Sequence, residues 1–348
     1  MMAGAVRPTG SSQNGSTRSE CTMKKALICG VSGQDGAFLS QVLLEKGYEV
    51  YGASRDADIN LFSNLNTLGL RDQVTLTSIT LSDFRSVLQA LIRIEPDEVY
   101  NLAGQSSVAL SFEQPVETME SISIGTLTLL EAIRFSKMPI RFYSAGSSEC
   151  FGDIGDTAAN EQTPFAPRSP YAVAKSAAYW QTANYREAYG LFGCTGILFN
   201  HESYLRPERF VTKKIVSAAC RIAAGSKETL RLGDISIKRD WGWAPDYVEA
   251  MWLMLHQEQA DDFVIATGES HSLQEFVAQV FEASGLNWKD HVKIDEHLKR
   301  PAEIGANRGD SRKAERQLGW KPKHYMQDVV KLMVDAERRR THTSRRLA

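Results

Sequence analysis

Five short apolar runs, separated by amphipathic stretches, constrain the fold of this chain more than any other feature. The runs lie at residues 26–29, 49–53, 74–79, 98–102 and 141–145. Each has the length and the flanking turn residues of a buried strand. The stretches between them have the period of helices and lie at residues 38–46, 86–94 and 125–136. Alternation of this kind predicts an α/β fold built on a doubly wound parallel (Rossmann) sheet.

A glycine-rich loop follows the first predicted strand and opens the first predicted helix. It contains Gly30, Gly33, Gln34, Asp35 and Gly36. At such a junction the missing side chains let backbone N–H groups approach a pyrophosphate, and the helix N-terminus supplies partial positive charge. A tight turn without a ligand would have the same residues. The position of the loop, at the first strand of a long alternating pattern, favours dinucleotide binding.

The second half of the chain is less regular. An apolar run at 196–199 ends in a predicted polar turn at 200–203. A short strand is predicted at 263–266, and helices are predicted at 212–224, 247–256, 272–284 and 326–339.

These patterns predict four segments. Residues 1–22 are rich in Gly, Ser, Thr and Asn, so they cannot offset their own ordering entropy and form a disordered tail. Residues 23–200 form the dinucleotide-binding domain. Residues 201–340 form mainly a smaller, substrate-binding lobe, with some segments returning to the cofactor domain. Residues 341–348 form a second tail.

Composition excludes several classes of partner. The 348 residues carry a formal net charge of −2, which gives no polyelectrolyte signature, so neither nucleic acid nor a membrane is expected to bind. The five cysteines have no CxxC spacing, so neither a metal site nor a disulfide framework is expected. No apolar run approaches the length of a membrane span, and the start of the chain lacks the core of a signal peptide. A cytoplasmic protein is expected.

The residues after the second predicted strand bear on the choice between NAD and NADP. An acidic side chain there accepts from the ribose hydroxyl of NAD, whereas arginine pairs with the additional phosphate of NADP. The sequence reads Ser54, Arg55, Asp56, Ala57 and Asp58. Arg55 favours NADP, and Asp56 argues more weakly for NAD. The arginine could also be a solvated surface charge.

A tyrosine and a lysine lie one helical turn apart in the next informative segment. Tyr171 follows Ser169 and Pro170 at the predicted start of a helix, and Lys175 lies on the same face. Tyrosine has an ordinary pKa of about 10, so it needs a nearby cation to act as a base near neutrality. Lys175 can supply that charge. The spacing also occurs by chance in structural helices, and only the glycine loop makes a hydride-transfer site the better interpretation.

Ser147 and Glu149 directly follow the fifth predicted strand. Open parallel sheets bind ligands at the carboxyl ends of their strands. Alternate residues of an extended segment point the same way, so the hydroxyl and the carboxylate could converge on one substrate carbon. Capping of a turn is the simpler alternative. A second base would not be needed for oxidation alone, and Glu149 therefore favours an elimination of water.

Several longer motifs resemble the GDP-mannose 4,6-dehydratase family of extended short-chain dehydrogenase/reductases. The resemblance covers about residues 25–340. Its motifs lie at residues 30–36, 43–48, 97–102, 167–171, 196–203, 238–242, 300–303 and 318–322. It implies that NADP stays bound while GDP-mannose is converted to GDP-4-keto-6-deoxy-mannose. Tyr171 would take the C4 hydroxyl proton, and Glu149, helped by Ser147, would take the C5 proton and expel the C6 hydroxyl.

The same resemblance implies further contacts. Besides the loop residues and Arg55, the implied cofactor residues are Thr80, Leu81, Leu102, Ala103, Gln105, Ser106, Lys175, His201 and Arg206. The implied residues around the GDP group are Asn200, Lys214, Arg239, Arg300 and Glu303. Arginine suits a diphosphate because its planar fork donates two hydrogen bonds at once.

Four positions depart from the family pattern. Ser147 replaces the usual threonine, the pair Arg55-Asp56 stands where the family usually has two arginines, and Thr80 replaces an aspartate. The paired-arginine loop that bridges subunits in family tetramers reads Leu205 and Arg206. A homodimer is therefore expected more than a tetramer.

Three other functions remain open from the sequence. A 4,6-dehydratase of another GDP sugar, such as a GDP-heptose, would use the same motifs. A GDP-sugar reductase or epimerase would keep Tyr171 and Lys175 but would not need Glu149. A non-catalytic dinucleotide-sensing protein typically loses the tyrosine or the lysine, and both are present here.

Overall fold

A seven-stranded parallel sheet with helices on both faces forms the larger part of the structure. The computed structural model describes Met1 and residues 23–155, 157–298 and 302–347, with the backbone alone for residues 342–347. Apart from Met1, the expected disordered tail at 1–22 lies outside the described residues.

The strands are, in chain order, β1 (Lys25–Cys29), β2 (Glu49–Ser54), β3 (Thr75–Ser78), β4 (Glu98–Asn101), β5 (Arg141–Ala145), β6 (Gly193–Leu198), β7 (Asn200–Glu202), β8 (Leu230–Leu232), β9 (Lys238–Arg239), β10 (Trp241–Trp243), β11 (Phe263–Ile265), β12 (His271–Ser272) and β13 (Val292–Ile294). The α-helices are α1 (Gln34–Glu45), α2 (Ser63–Thr67), α3 (Phe84–Ile94), α4 (Val108–Glu113), α5 (Pro115–Met119), α6 (Gly125–Ser136), α7 (Pro170–Tyr189), α8 (Val211–Ala223), α9 (Ala244–Met254), α10 (Leu273–Ala283), α11 (Arg312–Leu318) and α12 (Met326–Leu347). A π-helical turn (Glu120–Ile124) joins α5 to α6, and a 3₁₀-helix (Ser148–Phe151) follows β5.

The main sheet has the strand order β11-β6-β5-β4-β1-β2-β3, and every pair in it is parallel. The chain winds outward from β1 in one direction and from β4 in the other, so the winding direction changes between these two strands. Ligands in open parallel sheets bind at such a reversal, outside the carboxyl ends of the strands. The predicted doubly wound α/β fold is confirmed.

Both faces of the sheet are covered by helices. On one face α1 and α9 pack on the strands, with Leu39, Leu43 and Met251 fully buried. On the other face lie α3 and α6, whose apolar stripes include Leu91 and Leu129. Because α9 and β11 come from beyond residue 201, part of the second half of the chain belongs to this sheet.

A second apolar core lies among α8, α10 and α12, around Trp241 and Phe276. The prediction of a polar turn at 200–203 was wrong, because residues 200–202 form strand β7, which runs parallel to β10. Its polar side chains find partners inside the protein: Glu202 accepts hydrogen bonds from Arg206 and Thr212. The segment is polar because its side chains pair with groups from other parts of the protein. The last helix also runs to Leu347, past the expected end at 339.

Within the described ranges, no helix combines the length and the apolar character needed to cross a bilayer. The four cysteines in these ranges, Cys29, Cys150, Cys194 and Cys220, are free and buried. The same ranges contain no group of three or more His, Cys, Asp or Glu side chains arranged to hold a metal ion.

Candidate active site

Two glycines hold the loop after β1 in its conformation. Gly30 has a φ of +90°, and a Cβ there would lie 2.8 Å from backbone atoms of Leu102 and Ala103. A Cβ on Gly36 would lie 2.5 Å from the carbonyl oxygen of Gly30. A Cβ on Gly33 would meet no atom closer than 3.4 Å. Packing within the protein therefore requires glycine at positions 30 and 36, whereas position 33 is open toward its surroundings.

The loop forms one wall of a cleft of about 840 Å³ at the carboxyl ends of β1, β2 and β4. The expected cofactor residues that line this cleft are Gly30, Gly33, Gln34, Asp35, Gly36, Arg55, Thr80, Leu81, Leu102, Ala103, Gln105, Ser106 and Arg206. The other two expected residues, Lys175 and His201, are not part of the lining. Nearly all of the expected cofactor residues therefore line one cleft.

The N-terminus of α1 carries no side-chain cap. Gly33 is the N-cap residue and has no side chain to offer. The neighbouring Gln34 turns inward, where its Nε2 donates to the His201 carbonyl at 3.0 Å and its Oε1 accepts from the Ser203 hydroxyl at 2.7 Å. An anionic group near the loop would therefore meet the backbone N–H groups of the first helical turn.

A partly buried pair of His201 and Asp35 lies beneath the same loop. The Nε2 atom of His201 is 2.9 Å from Oδ2 of Asp35, and its Nδ1 is 2.7 Å from the Phe199 carbonyl oxygen. Burial disfavours the imidazolium, but the Asp35 carboxylate outweighs burial and raises the pKa of His201. Burial also opposes ionisation of Asp35, yet His201 lowers its pKa. His201 therefore reaches the cleft through Asp35 and not by direct contact.

At the far end of the cleft, beyond β2, Arg55 is paired across the space. Its Nη1 donates to Oε1 of Glu117 at 3.3 Å, and both side chains are exposed. Asp56 accepts hydrogen bonds from the backbone N–H groups of Asp58 and Ile59 through one carboxylate oxygen. That oxygen stabilises a turn. The two side chains that argue for NADP and for NAD are thus both engaged within the protein.

Helix α7 fixes the tyrosine and the lysine in its first two turns. Ser169 caps the helix by accepting from the Ala172 N–H at 3.1 Å, and Pro170 occupies the first helical position. Lys175 lies one turn after Tyr171, with its Nζ 5.9 Å from the centre of the tyrosine ring. The same Nζ donates to the Ala145 carbonyl oxygen at 2.6 Å. This bond ties α7 to the carboxyl end of β5.

The other two expected catalytic residues lie at the same strand end. Ser147 is buried, and its hydroxyl accepts from the Glu149 backbone N–H at 3.3 Å, so it does cap a turn as the simpler alternative supposed. The same hydroxyl also lies close enough to Tyr171 to lower the pKa of the tyrosine. The cap and the active-site position are therefore compatible. The structure brings Ser147, Glu149, Tyr171 and Lys175 into one cluster.

Burial dominates the proton affinities in this cluster. It raises the pKa of Tyr171, while the Ser147 hydroxyl and the Arg206 guanidinium act to lower it and Glu149 acts to raise it. Burial lowers the pKa of Lys175 to about 8. The expected effect of Lys175 on the tyrosine stays a prediction.

The residues expected around the GDP group are only partly brought together. Arg239 is buried and donates to Glu303 and to the Ile304 carbonyl oxygen, both at 2.8 Å. Asn200 begins β7, and Lys214 on α8 donates to the Arg231 carbonyl oxygen at 2.8 Å. Arg300 lies outside the described residues.

Sequence reasoning missed other polar residues of the site. The cleft is also lined by Ser54, Asn60, Glu117, Ser121 and Arg209. Arg209 is the one that the sequence could have indicated, because it follows Arg206 by three residues just before a helix. Ser121 lies in the π-helical turn, and its hydroxyl accepts from the Gln105 N–H at 3.2 Å. A π-helical turn shifts the direction of the side chains within a helix, and no local sequence pattern predicts it.

The cleft fits a ligand with phosphate groups. Position 33 leaves space at the loop, the first turn of α1 has no side-chain cap, and Arg55, Arg206 and Arg209 line the walls. Cationic side chains and a helix N-terminus both favour anions. A pyridine dinucleotide has this chemistry, with two phosphates between its halves.

The class that this fold and site define is that of the extended short-chain dehydrogenase/reductases. The chain resembles the crystal structure of UDP-glucose 4-epimerase of Thermus thermophilus in complex with NAD, with a TM-score of 0.79 and 27% identity, covering 90% of this chain and 99% of that one. It also resembles dTDP-glucose 4,6-dehydratase of Bacillus anthracis in complex with NAD, with a TM-score of 0.80 and 18% identity, covering 92% and 98%.

Sequence comparison narrows the class to one family. Residues 27–333 match the family model of GDP-mannose 4,6 dehydratase. GDP-mannose 4,6 dehydratase 1 of Arabidopsis thaliana is 51% identical over 329 residues, which cover 90% of each chain. The chain belongs to the GDP-mannose 4,6-dehydratase family. It is thereby a nucleotide-sugar 4,6-dehydratase, a hydro-lyase.

Proposed function

We propose that this protein converts GDP-mannose to GDP-4-keto-6-deoxy-mannose with a bound pyridine nucleotide. The observation that carries the proposal is the cluster of Glu149, Ser147 and Tyr171 at the end of β5, which interacts electrostatically with Arg206 of the cleft lining. A reductase or an epimerase of this class needs the tyrosine but has no step for a second base. The family relationship supports GDP-mannose as the substrate.

The cofactor that we propose is NADP. The glycine loop and the first turn of α1 would bind its phosphates, and Arg206 would add positive charge there. Arg55 would pair with the additional phosphate of NADP in place of Glu117. When bound, the cofactor accepts a hydride from C4 of the sugar and returns it to C6.

Tyr171 is the proposed base at the C4 hydroxyl. In the first step its phenolate oxygen takes the hydroxyl proton, and Ser147 donates a hydrogen bond that holds the phenolate in place. Burial lowers the pKa of Lys175 to about 8, so the lysine carries its charge only while the pH stays below about 8. Its cationic form would stabilise the phenolate.

Glu149 is the proposed base for the elimination. Once C4 is a ketone, the proton on C5 becomes acidic, because the carbanion is delocalised into the carbonyl group. The Glu149 carboxylate removes that proton and then gives it to the C6 hydroxyl, which leaves as water. When the hydride returns to C6, C5 takes up a proton, and the proton that Tyr171 took from the C4 hydroxyl balances this last step. General acid–base catalysis of this kind contributes roughly 10²–10⁴-fold to a rate.

The GDP group is proposed to bind along the second lobe. Arg239 and Arg300 would contact the diphosphate, while Asn200, Lys214 and Glu303 would contact the rest of the nucleotide. The existing Arg239–Glu303 pair supports this, because it fixes the guanidinium at a buried position.

A homodimer is the proposed assembly. Helices α6 and α7 pack side by side; Val173 and Trp180 are exposed on α7, and Ile124 is exposed in the π-helical turn that leads into α6. Val173 and Trp180 are seven residues apart, which places them on one face of α7. An exposed apolar stripe on adjacent helices suits a self-complementary interface.

The proposed reaction has a direct test. Purified protein, incubated with GDP-mannose and no added reductant, is expected to give a product lighter by one water, with no net change in the redox state of the cofactor. Mass spectrometry of the sugar nucleotide and of the released cofactor measures both. An unchanged sugar mass, or accumulation of reduced cofactor, would contradict the proposal. The same assay with a GDP-heptose in place of GDP-mannose tests the alternative substrate.

Glu149→Gln separates the two halves of the reaction. The variant is expected to lose water elimination by about 10²-fold or more, because the amide cannot take the C5 proton. Reduction of bound cofactor by GDP-mannose should persist and is measured by nicotinamide absorbance in a single turnover. Tyr171→Phe is the matched comparison and should lose both. Normal water loss in Glu149→Gln would remove this residue from the mechanism.

A further inference from the structure

The segment at residues 302–309 runs through the protein between the second lobe and the loop after β5. Its backbone is held on one side by Lys238, whose N–H donates to the Gly305 carbonyl oxygen at 2.8 Å and whose carbonyl accepts from the Asn307 N–H at 3.2 Å. On the other side the Ala159 N–H donates to the Arg308 carbonyl oxygen at 2.9 Å. The segment is therefore fixed along both edges.

Asn307 points its side chain from this segment into the loop that carries the catalytic cluster. It is fully buried, and its Nδ2 donates to the Ser148 hydroxyl at 3.1 Å. Ser148 is itself 2% exposed and lies between Ser147 and Glu149 in the chain. A hydrogen bond in such a position has no competition from solvent, so it restricts the rotation of the loop more than a surface bond would.

The backbone of Asn307 is anchored as well. Its carbonyl oxygen accepts from the Ser270 hydroxyl at 3.1 Å. The same short segment contains Glu303 and Ile304, both of which bind Arg239. One continuous piece of chain thus connects the arginine proposed to bind the diphosphate with the loop that contains Ser147 and Glu149.

We propose that Asn307 is a positioning residue that acts through Ser148 to hold the Glu149 carboxylate in its working orientation. The inference rests on the proposed function, since it assigns a purpose to the geometry of that side chain. The hydrogen bond of Asn307 is made to Ser148, the residue that precedes Glu149 in the chain. Its effect therefore belongs to the elimination step, where the Glu149 carboxylate must face one particular carbon, and not to binding of the nucleotide or the cofactor.

Asn307→Leu tests this inference, because leucine has nearly the same shape but cannot donate a hydrogen bond. We expect kcat for water loss to fall about 10-fold, since small misplacements of a catalytic group are costly, with KM unchanged within about two-fold. Single-turnover reduction of the bound cofactor should keep its rate. A parallel loss of cofactor reduction, or an unchanged kcat, would overturn the inference.

A double-mutant cycle on the rate of water loss distinguishes a positioning role of Asn307 from a general effect on stability. Ser148→Ala removes the same hydrogen bond from its other end and leaves a small residue that fits the site. If Asn307 acts through Ser148, the double variant should be no slower than the slower single variant, because each change removes the same interaction. Multiplicative losses would refute the inference. Should Asn307→Leu fail to fold, Ser148→Ala alone must still slow water loss without slowing cofactor reduction.

The wild-type protein distinguishes a failure of the proposed function from a failure of the role proposed for Asn307. Absence of any water loss from GDP-mannose in the wild type counts against the proposed function itself. An active wild type with an equally active, folded Asn307→Leu counts against the role of Asn307 alone.

Discussion

At the scale of single residues, burial controls the proton affinity of the lysine on α7. Lys175 is 9% exposed, and its Nζ has the Ala145 carbonyl oxygen as a hydrogen-bond partner. Burial lowers its pKa to about 8, while Cys150 and Asp35 act in the opposite direction. Its charge therefore changes close to neutral pH, unlike that of a surface lysine.

This pKa predicts how stability depends on pH. Between about pH 8 and about pH 10.4 the unfolded chain keeps a proton on Lys175 that the folded protein has released, so folding stability should rise with pH in that window. The contribution is about 3 kcal/mol at most, at 1.36 kcal/mol for each pH unit. Urea unfolding of the wild type and of Lys175→Met at about pH 7 and about pH 10 isolates it. A difference between the two proteins that does not change with pH would contradict the pKa shift.

Another residue-scale prediction concerns Arg55, which is paired with Glu117 across the cleft. Arg55→Ala should weaken NADP by about 10-fold and NAD much less, because only NADP offers a phosphate to the guanidinium. Glu117→Gln should act in the opposite direction and tighten NADP by a few-fold, since it removes the competing carboxylate. Fluorescence titration of cofactor-free protein measures both. Equal losses of NAD and NADP in Arg55→Ala would show that this arginine does not bind the phosphate.

At the scale of elements, the junction between β1 and α1 shows how one loop meets two separate requirements. Gly36 allows the helix to pass close to the loop backbone, and Gly33 leaves the loop open to a ligand. The first requirement belongs to folding and the second to binding. Both have the same residue type in the sequence, so only the geometry distinguishes them.

Two alanine substitutions test that distinction. Gly36→Ala should destabilise the protein by a few kcal/mol, on the order of other overpacked sites, because its Cβ would lie 2.5 Å from the Gly30 carbonyl oxygen. Gly33→Ala should leave the melting temperature of cofactor-free protein nearly unchanged and weaken cofactor binding. Differential scanning calorimetry and cofactor titration measure the two effects. A Gly33→Ala protein with normal cofactor affinity would exclude close approach of a phosphate at that position.

At the scale of the whole molecule, the two halves of the chain interleave. Strand β11 and helix α9 return from beyond residue 201 to extend and cover the sheet, while α8, α10 and α12 enclose a separate core. The candidate active site lies where these parts meet. The proposed binding of the sugar nucleotide by the second lobe would therefore affect the loop after β5 through the segment at 302–309.

The proposed homodimer gives a prediction at the same scale. Trp180→Glu should convert the protein to a monomer, because a charge at the centre of an apolar interface loses its hydration without gaining a partner. Light scattering coupled to size-exclusion chromatography measures the mass. Ile92→Glu on α3 is the control, since Ile92 is similarly exposed, 56% against 63% for Trp180, on a different helix. A wild-type monomer, or a dimer in Trp180→Glu, would contradict this interface.

The sequence predicted most of the elements because their signals are local. Apolar runs at 26–29 and 141–145 differ from the observed strands by at most one residue, and the helix at 125–136 has its predicted bounds. Strand period, helix period and the glycines of the loop act over a few residues, so they can be read along the chain. The prediction of a turn at 200–203 was wrong because the polar side chains of this segment are buried against partners from other parts of the chain, such as Asp35 and Thr212.

Only the tertiary structure decided which side chains work together. His201 meets Asp35 from 166 positions away, Asn307 meets Ser148 from 159, and Arg55 meets Glu117 from 62. No local period encodes such pairs, since each depends on two distant segments packed into contact. The sequence by itself determined a doubly wound fold with a phosphate-binding loop and the residue types for a dehydratase. Packing determined the surroundings, and with them the proton affinities, of those residues.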